Sequence, residues 1–147
     1  MPSIQELVDG LTDDDDQRAY RCLRQLEEKS THSAEVYQYF DTFAEILQST
    51  NSYIRTRGMI LIAANARWDT DCKIDEIIDA YLKHIHDDKP ITARQCIKAL
   101  PSIVKNKPEL RQDIKAALLR ANPMKYEDSM QPLIVKDIEK SLEGILK

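Results

Sequence analysis

The chain has 147 residues, 42% of them hydrophobic, and a formal net charge of −4, with a pI of about 5.4. One domain of this length can bury a core of its own, and the acidic balance argues against a protein that coats duplex nucleic acid. No apolar run approaches the roughly 18–20 residues of a membrane span, and "MPSIQELVDG" is acidic and amphipathic rather than leader-like, so a soluble, cytoplasmic protein is expected.

Gly is scarce, at three residues, and no strand-length window alternates apolar with polar, which predicts an all-α chain. Ser3 and Glu6 form a capping box ahead of a first short helix with Ile4, Leu7, Val8 and Leu11 on one face. Behind the run Asp13 to Asp16, a second helix carries Ala19, Cys22, Leu23 and Leu26. Those acids lack the glycine and distal glutamate of a calcium loop and suit a helix start. Ser33 caps a third helix striped by Val36, Phe40, Phe43, Ala44 and Leu47.

The segment "NSYIRTRGMILIAANAR" is read as a fourth helix over 51–67, burying Ile54, Met59, Ile62, Ala63 and Ala66. A fifth is striped by Ile74, Ile77, Ile78, Tyr81, Leu82 and Ile85. Pro90 opens the sixth, with Ile91, Ile97, Leu100 and Val104 inward and Pro101 expected to kink it. A seventh follows Asn106 and Pro108 with Leu110, Ile114, Ala117 and Leu118, and the eighth carries Leu133, Ile134, Ile138, Leu142 and Ile145.

The second member of each helix pair aligns with the others. "RAYRCLRQL" under "IRTRGMILI" and "ITARQCIKA" superposes Arg21, Arg57 and Arg94, a period of about 36 or 37 residues. A weaker fourth copy places Gln131 at the arginine position. Such periods mark α-solenoids, in which stacked units share one core. The phrases "DKPITARQCIKALPSI" and "SYIRTRGMILIAANA" resemble the second helix of a HEAT repeat. The likeness spans essentially the whole chain as four repeats, about 3–30, 33–67, 71–105 and 107–147, and is closest to small HEAT-like, Armadillo-type helical proteins of bacteria. It implies a single-domain, right-handed α-α superhelix of about four helical pairs, a scaffold for binding, with second helices lining a concave surface.

Charge divides along the same lines. The fourth helix has Arg55, Arg57 and Arg67 without an acid, and the sixth has Arg94, Lys98 and Lys105 without an acid. The third has Glu35, Asp41 and Glu45 without a base, and the fifth is mostly acidic. On the implied geometry the six cations form a basic concave face that receives an acidic peptide or protein segment. Arg57 and Arg94 carry a second reading, pairing with Asn51 and with Asp87 or Asp88 to tie repeats together. Trp68 is either a packed plug in an inter-repeat turn or a binding anchor.

A further alternative is a nucleic-acid-binding protein resembling the HEAT-like alkylpurine DNA glycosylases, with Trp68 and Asp69 as the nearest analogues of their aromatic and carboxylate groups. Few aromatics and the low pI count against it. His84 and His86 lie about 200° apart around a helix, and His32 lies in a loop. With no paired-Cys motif, His-Glu-x-x-His or glycine-rich phosphate loop, a non-enzymatic protein with no metal and no cofactor is expected. Cys22, Cys72 and Cys96 are too far apart for a disulfide framework and are read as free, buried thiols.

Overall fold

The computed structural model describes residues 1–146 and divides into two compact units, 1–74 and 75–147. Eight α-helices, joined by 3-10 turns, and no strand occur among the described residues. None of these helices is long and apolar enough to cross a membrane.

The first unit contains α1 (Ile4–Asp9), α2 (Asp16–His32), α3 (Phe40–Ile46) and α4 (Ser52–Ala64). The capping box at α1 forms in both directions, Glu6 N–H donating to Ser3 Oγ at 3.1 Å and Ser3 N–H to Glu6 Oε1 at 3.4 Å. Within the acidic run, Asp15 caps α2 by accepting from the N–H groups of Gln17 and Arg18, satisfying donors that a helix start leaves open. The Ser33 segment begins as a 3-10 turn, Val36–Tyr39, and becomes α-helical only at Phe40. Phe40, Phe43, Leu47, Met59, Leu61 and Ile62 are fully buried and make the core.

Helices α3 and α4 approach closely at Gly58, where a Cβ would lie 2.8 Å from the carbonyl oxygen of Phe43. The fourth helix is shorter than the sequence suggests. It ends at Ala64, and Ala66–Trp68 is a separate 3-10 turn. Cys72, in the following turn, has φ 56°, the left-handed region that costs a side-chain-bearing residue free energy.

The second unit holds most of α5 (Lys73–Leu82), then α6 (Pro90–Asn106), α7 (Arg111–Leu119) and α8 (Gln131–Ile145). Its fully buried groups include Tyr81, Ile85, Cys96, Ile97, Leu100, Ile103 and Ile114. Helix α6 continues through Pro101. A proline removes the N–H that would bond the carbonyl four residues earlier, here Ile97. That carbonyl accepts instead from the Ser141 hydroxyl of α8 at 2.6 Å.

Three contacts in order, Arg94 with Asp137, Ile97 with Ser141 and Pro101 with Gly144, set α6 and α8 parallel. In the first unit Arg57 with Asp16 and Asn65 with Ser30 set α2 and α4 parallel likewise. Two apolar assignments are corrected. Ile91 is 63% exposed, because it points away from the face of α6 that buries Ala93, Cys96, Ile97 and Leu100, and Leu133 is 40% exposed. On α8 the inward positions are Ile134, Asp137, Ser141 and Ile145, because the face toward α6 must answer a guanidinium and a freed carbonyl.

Candidate functional site

In the first unit the expected binding residues are engaged within the unit. Arg57 is 6% exposed. It donates from Nη1 to the Leu11 carbonyl at 2.9 Å and from Nη2 to Asp16 Oδ1 at 3.0 Å. It is therefore a buried clasp between α4 and the start of α2, and no part of an open face. Its expected partner Asn51 caps α4 by accepting from Tyr53 and Ile54 N–H.

Arg55 donates to the carbonyls of Ser49 and Thr50. Arg67 donates to the Thr31 carbonyl at 3.1 Å, and the half-buried Trp68 indole N–H to the Ser30 carbonyl at 2.7 Å. Arg67 and Trp68 satisfy acceptors in the last turn of α2, where a cation also meets the negative end of the helix dipole, and Arg55 satisfies carbonyls of the loop between α3 and α4. Asp69 is buried and accepts from the Tyr37 hydroxyl and from Lys73 and Ile74 N–H, so it caps α5. Burial and that carboxylate drive the Tyr37 phenol well above its ordinary pKa. Trp68 and Asp69 are both tied down by structural contacts.

The second unit arranges its cations differently. Arg94 meets Asp137 of α8 in a two-pronged pair, Nε to Oδ2 at 2.6 Å and Nη2 to Oδ1 at 3.3 Å, and its hydrogen bond to Asp137 holds the guanidinium pKa above its usual value. The expected partners Asp87 and Asp88 do not take it. Asp87 is buried, pairs with His84 Nδ1 at 2.7 Å and accepts from Lys89 N–H. At the Arg94–Asp137 pair runs a groove of about 350 Å³ lined by Arg94, Lys98 and Pro101 of α6 and by Lys136, Asp137, Lys140 and Ser141 of α8.

Lys98, Lys136 and Lys140 are exposed and form no ion pair among the described residues. Arg94 and Lys98 are four apart on α6, and Lys136 and Lys140 four apart on α8. Each pair presents like charges on one face, an arrangement that costs a few tenths of a kcal/mol in an isolated helix. Lys105, also exposed, lies on the same stripe of α6 but lines a second groove of about 490 Å³ with Pro101, Val104, Pro108, Arg111 and Ile145. Of the residues lining these grooves, Arg94, Lys98 and Lys105 were among the sequence candidates and Lys136 and Lys140 were not. The available signal was their own four-residue spacing.

The thiols divide. Cys22 and Cys96 are buried, burial pushing the Cys96 thiol far up, whereas Cys72 is exposed because its turn projects it from the fold. Compared with known proteins, the chain matches no family model, no curated protein and no solved structure.

Proposed function

We propose that this chain is a non-enzymatic binding scaffold whose basic groove between α6 and α8 takes an acidic peptide or protein segment. One observation carries the reading: Lys98, Lys136 and Lys140 converge on one groove whose carboxylate, Asp137, is held by Arg94, and the three lysines form no ion pair among the described residues, in a chain whose net charge is −4. Like charges held together on two facing helices favour an anionic occupant, which converts mutual repulsion into charge-assisted hydrogen bonds. Asp137 is already neutralised by Arg94 and orients that guanidinium along the groove wall.

The reading keeps the HEAT-like right-handed superhelix of four helical pairs as its architecture, supported by the 36-to-37-residue register and by parallel second helices within each unit. It withdraws Arg55, Arg57, Arg67 and Trp68 from the ligand surface, since each serves a helix end, a loop carbonyl or a buried pair. The test is fluorescence anisotropy with a labelled octa-glutamate peptide against the native protein and a Lys98→Glu, Lys140→Glu variant of unchanged helicity. Binding that weakens as salt rises and is lost in the variant is expected. Equal binding by both proteins, or none by the native one, would sink the reading.

A further inference from the structure

The basic groove does not end at its charges. On α6, Arg94, Lys98, Pro101 and Lys105 recur at four-, three- and four-residue steps, and therefore lie on one face of the helix. Pro101 lines both grooves: the cationic one with Lys98, Lys136 and Lys140 and the larger one with Val104, Pro108 and Ile145. Because α6 and α8 are parallel, with Ile97 bonded to Ser141 and Pro101 against Gly144, the two grooves follow one another along a single seam. Gly144 contributes by what it lacks. A Cβ there would already stand 3.1 Å from Pro101 Cβ, and a larger side chain would fill the seam where the grooves meet.

The chemistry changes along that seam. The first part presents three ammonium groups that form no ion pair among the described residues. The second is floored by proline rings and aliphatic carbon, with Lys105 and Arg111 at its margin, and the Arg111 Nε is already donated to the Ile145 carbonyl at 2.9 Å. From the turn of Lys98 to that of Lys105 is seven residues, about 10 Å of helix rise, which an extended peptide covers in about three residues. The cations rimming both parts exclude a basic occupant, and the apolar floor is left unused by one that is only acidic.

From this seam we infer that the occupant is an extended protein segment with two determinants: a cluster of acidic residues and, about three residues away, one large apolar side chain. The carboxylates bind Lys98, Lys136 and Lys140, and the apolar side chain enters the groove over Pro101, Val104 and Pro108. This rests on the acidic-segment reading above and adds the apolar anchor and its spacing.

The experiment separates the two. Four labelled peptides are titrated against the intact protein: Glu-Glu-Glu with serines alone, the same with Leu three residues after the acids, with Leu three residues before them, and with Leu eight residues away. At least one of the two three-residue spacings should bind about tenfold or more tighter than the acid-only peptide, as expected from burying one leucine side chain. The eight-residue spacing should gain little. Ser102 is exposed and lines the apolar groove, so a Ser102→Trp variant fills that groove. It should erase the leucine increment, read as the ratio of leucine-peptide to acid-only affinity measured within that variant. Acid-only binding without any leucine increment overturns the two-determinant inference and leaves the acidic reading standing. Binding by none of the four overturns both. A leucine increment that survives Ser102→Trp places the anchor elsewhere and also overturns the inference.

Discussion

The Ile97 carbonyl shows how one residue choice propagates. Pro101 removes its helical donor, and Ser141 replaces that donor from a different helix at 2.6 Å, so a local defect becomes a packing contact. Ser141→Ala should cost about 1–3 kcal/mol, the penalty of a buried acceptor left unpaired. In a Pro101→Ala background, where the backbone N–H returns, the same change should cost clearly less. Equal losses in the two backgrounds, measured by urea denaturation, would show that the hydroxyl does not answer the proline.

A second residue-scale expectation concerns His86. Its Nε2 accepts from Asn122 N–H at 2.9 Å, and Lys125 Nζ donates to its carbonyl at 2.6 Å. Burial first, and the Lys125 charge second, push its pKa below the ordinary 6.5. Asp79, Lys83 and Arg120 line the same hollow. The folded state therefore binds this proton less readily than the unfolded chain. The stabilisation is full above pH 6.5 and is lost as pH falls through the lowered folded value. Stability measured between about pH 7.5 and 5.5 should drop more in the native protein than in His86→Gln; parallel curves would contradict this.

Cys72 offers a third check. It is the exposed thiol, at φ 56°, so a bulky thiol reagent should label one cysteine in the folded protein and none in Cys72→Gly. The glycine variant should be no less stable, because glycine adopts this backbone region at no steric cost.

At the scale of elements, the packing of α3 on α4 depends on a missing side chain. A methyl group on Gly58 would meet the Phe43 carbonyl oxygen at 2.8 Å and the Leu47 nitrogen at 3.2 Å, both backbone atoms that cannot rotate away. Alanine is the better helix former by roughly 1 kcal/mol, yet Gly58→Ala should destabilise by about 1–3 kcal/mol because the helices must separate. A melting temperature equal to or above that of the native protein would refute the close approach. The same scale explains why Arg57 and Arg94, equivalent in sequence register, find unlike partners. Arg57 reaches Asp16 and the Leu11 carbonyl, while Arg94 reaches Asp137. Asn51 and Asp87, the acceptors nearest in sequence, are short side chains that first capture adjacent backbone N–H groups, as such residues do at helix starts.

For the molecule as a whole, the relevant contrast is between a net charge of −4 and a local excess of cations at one groove. A net negative charge opposes approach to duplex DNA over long distances, while the groove acts on groups within hydrogen-bond reach. Anisotropy with a labelled duplex at about 150 mM salt should therefore show no binding under conditions where the acidic-leucine peptide binds. A duplex affinity that exceeds the peptide's and falls steeply with salt would instead support phosphate contacts.

The sequence by itself determined the helical class, most helix positions, the capping box at Ser3 and Glu6 and the shared face of Arg94, Lys98 and Lys105. These follow from local rules, a 3.6-residue period and side chains acting within a turn or two. The repeat register remains an expectation; the contacts show that α2 runs parallel to α4 and α6 to α8. Only the tertiary structure decided which cations are already engaged by the fold. Arg55, Arg57 and Arg67 look as available in sequence as Lys98, yet each meets a carbonyl, whose need for a donor arises where a helix ends, in the loop that follows it or where a turn is buried. Only the tertiary structure, too, brought Lys136 and Lys140 to the Lys98 groove. Charges some 40 residues apart in sequence become neighbours through the packing of α8 on α6, where Asp137, Ser141 and Gly144 meet Arg94, Ile97 and Pro101.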